Sequence, residues 1–174
     1  MTNLLISGLP RSGKTTLVRR LLEQNILKNK AGGFFTEEIR ERAERVGFMI
    51  HTIPEEKRAL LASKDFLSRF RVGSYGVNTN ALEDLGCKSI EKSLKMKNIV
   101  IIDEIGKMEL YSDRFRMVLL EALNSPHKVL ATIMERPNPF TDRIKNRTDV
   151  KLFSLNRKNF ASVFEKSKEW IEQP

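Results

Sequence analysis

The chain has 174 residues, 40% of them hydrophobic, with 31 lysines and arginines against 22 aspartates and glutamates for a net charge of +9. That length predicts one domain, residues 1–174, and a chain of this size buries about 70% of its unfolded surface, enough for a sizeable core. The lone Cys87 excludes an intrachain disulfide, one cysteine with two histidines excludes an ordinary zinc site, and no apolar run or charged leader points to a membrane, so a cytoplasmic protein is expected.

In chain order, residues 4–6 read as a buried parallel strand, and Leu17, Val18, Leu21 and Leu22 recur at helical spacing in a unit that runs to about residue 29 and ends at Gly32-Gly33. Residues 34–41 and 45–53 form a predicted antiparallel hairpin with a charged tip at Arg42-Ala43-Glu44. A further strand pair is predicted over 58–62 and 70–72, followed by a turn at Gly73-Ser74-Tyr75-Gly76, and a helix over 82–94 carries Cys87 as a half-buried residue. Ile99-Val100-Ile101-Ile102 are four consecutive β-branched residues, the signature of a strand buried on both faces. A helix over 115–123, a strand over 129–134, a short basic helix over 140–146, a strand over 150–155 and a helix over 158–171 complete the chain. This alternation predicts an α/β fold, a mixed and mostly parallel sheet sandwiched by helices, with an inserted antiparallel hairpin region.

The predicted connection between the first strand and the first helix is Gly8-Leu9-Pro10-Arg11-Ser12-Gly13-Lys14-Thr15, a complete phosphate-binding loop. Glycines at both ends let backbone N–H groups turn inward toward phosphate oxygens, and the helix N-terminus that follows favours negative charge. Lys14 supplies a cation for the β- and γ-phosphates and Thr15 a hydroxyl of the type that ligates Mg²⁺; with Thr16, these residues are the candidate nucleotide site. A triphosphate site needs a metal partner from another strand, and the strand over 99–102 ends in Asp103-Glu104. Asp103 is the candidate partner of Thr15 in holding Mg²⁺, and Glu104, pointing elsewhere, the candidate to orient or deprotonate an attacking water. The plainer alternatives are a helix-capping Asp103 and a solvated Glu104.

Lys107, on a glycine-containing turn past the acids, can reach either phosphate or Glu109. Arginines near a transferring phosphoryl group neutralise its charge. Candidates are Arg11, a cluster of Arg136, Arg143 and Arg147 past the strand over 129–134, and Arg157. Thr132, polar in an apolar strand, either holds the attacking water or packs as strand residues do, and Asn156 either caps the last helix or touches the nucleotide. Phe34 and Phe35 are expected in the core, with Tyr75 a candidate base platform.

Beyond the loop, several strings resemble one family, the small thermophilic nucleoside-triphosphatases, whose eukaryotic members are called cancer-related nucleoside-triphosphatases. They are Gly33-Phe34-Phe35-Thr36-Glu37-Glu38-Ile39-Arg40-Glu41 with Gly47-Phe48, Val72-Gly73-Ser74-Tyr75-Gly76-Val77, Asp103-Glu104-Ile105-Gly106-Lys107-Met108-Glu109-Leu110, and Asn156-Arg157. The resemblance spans nearly the whole chain and implies a RecA-like P-loop NTPase domain that hydrolyses ATP, GTP and other nucleoside triphosphates with Mg²⁺. The chain departs from the family pattern at Arg11 and Ala43, where glycine is usual.

Two other functions fit the same motifs: a small P-loop kinase acting on a nucleoside, nucleotide or nucleic-acid 5′-hydroxyl, with residues 136–147 as a lid, and a nucleotide-gated module that binds RNA or protein. No Asn-Lys-x-Asp string follows the acid strand, so broad base use is expected. The positive charge is interleaved with acids, as in Glu37-Glu38-Ile39-Arg40-Glu41-Arg42, and no RNA or DNA motif accompanies it, which leaves nucleic acid a possible but unsupported partner.

Overall fold

A computed structural model describes residues 2–97 and 99–173. One nine-stranded sheet runs through it in the order β5-β6-β4-β3-β2-β7-β8-β1-β9. β1 (Asn3–Gly8), β7 (Ile99–Ile105), β8 (Lys128–Met134) and β9 (Val150–Ser154) join the start of β2 (Ala31–Glu41) in a parallel core. The rest of β2 continues past that core as an antiparallel wing with β3 (Glu44–Ile53), β4 (Arg58–Ser63), β5 (Arg71–Val72) and β6 (Tyr75–Val77).

Side chains alternate across the pleated sheet, and so do the two cores. Leu4 and Ile6 of β1 with Ile99 and Ile101 of β7 pack against Leu17 and Leu21 of α1 (Lys14–Leu22) and Trp170 of α6 (Phe160–Glu172). Leu5, Val100 and Ile102 face the opposite side, toward α4 (Asp113–Asn124), α5 (Pro139–Lys145) and the helical stretch made of α2 (Thr79–Ala81), a π-helical turn (Leu82–Cys87) and α3 (Lys88–Met96). Every residue of β1 is buried, as the continuous apolar run requires of a central strand covered on both faces.

Three local expectations change. The first helix stops at Leu22, and a 3₁₀ turn at Asn25–Leu27 takes up the rest of the predicted unit. β4 does not pair with residues 70–72; both pair with Tyr75–Val77, so Tyr75 and Gly76 lie in a strand and the turn shrinks to Gly73-Ser74. A short strand with a glycine in it carries too little apolar pattern to be told from a turn. Cys87 is fully buried rather than half-buried, and burial pushes its thiol up to about 12. At the hairpin tip Arg42 and Ala43 both have positive φ, 45° and 69°, and Arg11 in the loop has 66°. Arg11 and Ala43, the two departures from the family's glycines, thus adopt the conformation glycine favours.

Candidate active site

The loop forms because its glycines do what no other residue could. A Cβ at Gly8 would stand 2.5 Å from Ser12 Oγ and 2.6 Å from the Leu155 carbonyl, while Gly13 takes φ 102° at the N-terminus of α1. Lys14, the first residue of α1, is 6% exposed and folds back over the loop. Its Nζ donates to the Gly8 carbonyl at 2.9 Å and the Leu9 carbonyl at 3.3 Å, and lies 3.7 Å from Glu104 Oε2. Ser12 Oγ is buried and makes no hydrogen bond.

Asp103 ties the loop to the sheet. It is fully buried at the end of β7; Oδ2 accepts from Thr15 Oγ1 at 2.9 Å and from Thr36 N and Oγ1 at 3.3 and 3.4 Å, and Oδ1 accepts from Thr132 Oγ1 at 2.5 Å. Burial lifts the Asp103 pKa, opposed by the bonds from Thr132 and Thr15. Asp103 therefore does not cap a helix, and Thr132 directs its proton at the carboxylate rather than standing free for a water. Thr36 is the residue that sequence reasoning missed. Its signal was a polar residue in Gly33-Phe34-Phe35-Thr36, and only the β2–β7 pairing of Phe34 with Ile102 shows that it reaches Asp103.

Beside Asp103 the β7–β8 register slips between Ile102 and Ile105, a bulge of the kind that re-aims side chains. Glu104 points elsewhere than Asp103, as expected: it lies beside Lys14 with its side chain 30% exposed and lines the cleft. Burial raises its pKa, Lys14 opposes this and Asp103 adds to it. Glu109 stands next to it. A Cβ at Gly106 would lie 3.1 Å from Glu109 Oε2 and 3.3 Å from Glu104 Oε1, so the two carboxyls face one small space. Glu109 is 5% exposed, and burial with the Glu104 charge pushes its carboxyl up to about 8, while its Oε2 accepts from Gly106 N at 3.2 Å.

A cleft of 780 Å³ holds Gly8, Pro10, Arg11, Gly13, Lys14, Thr15, Thr16, Glu104 and Lys107 together. Leu9, Pro10, Arg11 and Ser12 line a smaller depression on the other side of the loop, with Asn156 and Arg157. The predicted arginine cluster disperses. Arg136 lines the main cleft, but Arg143 donates to the Pro139 carbonyl and Arg147 is held by Asp149, Leu123 and Asn124. Asn156 accepts from the backbone of Lys158 and Asn159 in a turn before α6; Asn159 occupies the capping position. Phe34 is a core residue, Phe35 stacks on His51 at 4.9 Å, and Tyr75 is half-buried on the cleft wall.

The donor set fits a small hard cation. Thr15 and Asp103 offer a hydroxyl and a carboxylate already in contact, both oxygen ligands, and Mg²⁺ typically takes few protein ligands and completes its shell with phosphate oxygens and water.

Residues 3–167 match the family model described as NTPase, and the chain belongs to that family. It is 48% identical over 160 residues to the nucleoside-triphosphatase THEP1 of Thermotoga sp. strain RQ2, covering 92% of this chain and 90% of that one. THEP1 of Aquifex aeolicus is 38% identical, with 93% and 94% covered. Its crystal structure superposes with a TM-score of 0.89, covering 98% of this chain and 99% of that one at 37% identity. The solution structure of a human cancer-related nucleoside triphosphatase superposes at 0.82, covering 99% and 98% at 29% identity. The fold is the α/β P-loop NTPase fold, with a parallel core and antiparallel strands.

Proposed function

We propose that this member of the NTPase family hydrolyses nucleoside triphosphates, ATP and GTP among them, to the diphosphate and phosphate at the cleft between the loop and β7. The observation that carries the reading is the bond from Thr15 to Asp103, with Lys14 and Glu104 beside it. It brings the phosphate anchor, the metal-binding oxygens and a candidate base to one point. Residues 1–174 act as one catalytic unit in this reading, supported by the single sheet whose strands β1 and β7 lead into the loop and carry the acids. Among the described residues no helix is long and apolar enough to cross a membrane.

The loop N–H groups and Lys14 hold the β- and γ-phosphates, Lys14 exchanging the carbonyls of Gly8 and Leu9 for phosphate oxygens. Gly8, Pro10, Arg11, Gly13, Lys14, Thr15 and Thr16 line the cleft around the phosphates, with Leu9 and Ser12 completing the loop and Lys107 also on the cleft wall. Thr15 and Asp103 would hold Mg²⁺, which when bound neutralises charge building on the phosphate oxygens. Glu104 orients a water toward the γ-phosphorus and accepts its proton; its raised pKa makes it a better base than an ordinary surface carboxylate.

The test is acceptor-free phosphate release from ATP and GTP, with and without Mg²⁺, by the wild type and Glu104→Gln. The substitution keeps the shape and loses the charge, so turnover should fall on the order of a hundredfold or more while nucleotide affinity stays within a few-fold. Hydrolysis by Glu104→Gln at the wild-type rate would remove Glu104 from this role.

A further inference from the structure

The cations that line the cleft fall into two groups. Most already face a carboxylate of the protein: Lys14 lies 3.7 Å from Glu104 Oε2, Arg19 is 2.9 Å from Glu37 Oε1, and Arg40 and Arg45 share Glu38 at 2.7 and 3.0 Å. Arg11, Lys107 and Arg136 are exposed on the same cleft, and among the described residues their side chains make no hydrogen bond or ion pair. A guanidinium with no internal partner, beside a site for a polyanion, has all its donors available to the ligand's oxygens.

Sheet order and register separate the three. β8 lies between β1, which leads into the loop, and β7, which carries the acids. At its carboxyl end Met134 pairs with Gly8, the first residue of the loop, and Ile133 pairs with Ile105, the residue after Glu104. The chain leaving β8 therefore emerges between the phosphate anchor and the proposed base, and Arg136 is the second residue past Met134. The local sequence keeps it there. Pro137 disfavours a helical Arg136, and Asn138 caps α5, its Oδ1 accepting from Phe140 N at 2.9 Å and Thr141 N at 3.3 Å while its own N donates to Asp142 at 3.0 Å. Lys145 Nζ ties down the Glu135 carbonyl at 3.3 Å. A short link between a buried strand end and a capped helix leaves the Arg136 side chain, rather than its backbone, to adjust to a ligand. Arg11, in contrast, belongs to the loop and also lines the depression on its other side, and Lys107 follows the acids on the turn that carries Glu109.

We propose that Arg136 is the residue with which this chain neutralises the γ-phosphoryl group as it transfers to water. The inference rests on the proposed reading of the loop and Glu104. The water oxygen forms a bond to the γ-phosphorus as the bond to the β–γ bridging oxygen breaks. The electron pair leaves on the diphosphate, and Glu104 takes the water's proton. Between those events charge spreads over the equatorial oxygens of the transferring group. Lys14 meets them from the loop, and Arg136 donates to two of them from the end of β8, a planar fork that a single ammonium does not offer. A bond that strengthens as this charge develops raises turnover and leaves triphosphate affinity nearly unchanged.

The experiment measures phosphate release from ATP and GTP with Mg²⁺ by the full chain and by Arg136→Ala and Arg136→Lys. The same proteins are titrated with a non-hydrolysable ATP analogue and with ADP plus aluminium fluoride, which mimics the transferring group. Arg136→Ala should lower kcat about a hundred- to a thousandfold, the scale of one lost preorganised donor. It should weaken the ADP–aluminium fluoride complex by a similar factor while analogue affinity stays within a few-fold. Arg136→Lys, which keeps the charge and loses the fork, should recover only part of the rate. The side chain is exposed and unbonded among the described residues, so Arg136→Ala should melt with the wild type, which separates a lost contact to the reacting group from a lost fold. Turnover by Arg136→Ala at the wild-type rate would overturn the proposal, and so would equal weakening of the two complexes, which would make Arg136 an anchor for the bound triphosphate instead. Phosphate release by the wild type that still depends on Glu104 would in either case leave the hydrolase reading standing, whereas a wild type that releases none would sink both.

Discussion

Replacing Thr132 with valine removes one hydrogen bond and almost no volume, which isolates the contribution of a single contact to the buried Asp103. Thr132 is fully buried, and its Oγ1 lies 2.5 Å from Asp103 Oδ1, itself inaccessible to solvent. A hydrogen bond to a charged group contributes about 1.5–3 kcal/mol, and the lost donor leaves a buried carboxylate oxygen with no replacement. For a chain of this size about 1 kcal/mol moves the melting point by about 2–4 °C, so Thr132→Val should melt about 3–12 °C below the wild type. Urea unfolding should show a lower midpoint at unchanged slope. Asp103 would also be held less firmly against Thr15, so half-maximal phosphate release should need more Mg²⁺. Thr132→Ser, which keeps the hydroxyl, should recover most of both losses. A Thr132→Val protein that melts with the wild type and titrates identically with Mg²⁺ would refute the assignment of this bond as a support of the site.

Lys14→Ala should weaken triphosphate binding about tenfold or more and cut turnover sharply, since it removes the ammonium that the loop holds against Glu104; undiminished phosphate release by the folded variant would count against the site. Glu109, whose carboxyl is pushed up to about 8, binds its proton more tightly folded than unfolded. Stability should therefore fall as pH rises from about 4.5 to about 8, and Glu109→Gln, which cannot ionise, should lose less between about pH 5 and pH 9 and melt above the wild type at the alkaline end. Equal melting curves at both ends would show that Glu109 does not titrate in this way. At the hairpin tip, Ala43 has φ 69°, so Ala43→Gly should relieve left-handed strain and raise stability by about 0.5–1 kcal/mol, read as a higher urea midpoint.

What the sequence shows clearly is whatever lies within one contiguous string. The phosphate loop, the strand before it and Asp103-Glu104 after four β-branched residues are local patterns, and each occupies the predicted place. Relations between strands were not legible. Thr36 follows Phe34-Phe35 and precedes the charged half of β2, Thr132 sits in an apolar strand, and only the neighbours of β7 decide that both turn to Asp103. Arg143 and Arg147 share a stretch with Arg136, yet the turn of α5 and the Asp149 carboxylate take them elsewhere. Glu109 reads as an ordinary acid because its burial comes from a 3₁₀ turn at Glu109–Tyr111 that brings it back beside Glu104. The different directions of Asp103 and Glu104 were legible because they are neighbours on one strand, but the register slip between Ile102 and Ile105 was not.

One carboxylate thus does two jobs that are hard to separate. Asp103 gathers donors from α1, β2 and β8 while itself lying in β7, so four elements meet on its two oxygens. A buried carboxylate is stabilised by several hydrogen bonds, and the same bonds fix where Thr15, and with it the loop, stands relative to Glu104. Phosphoryl transfer depends mainly on such positioning, because there is little covalent chemistry for side chains to perform. A shift of β2 or β8 would move the Asp103 oxygens and carry Thr15 with them, so the distance from the held phosphate to the Glu104 carboxyl is set by strand pairing in the sheet rather than by the loop alone. In the proposed reading, the hydroxyls of Thr36 and Thr132 would serve the reaction through the Asp103 oxygens to which both donate.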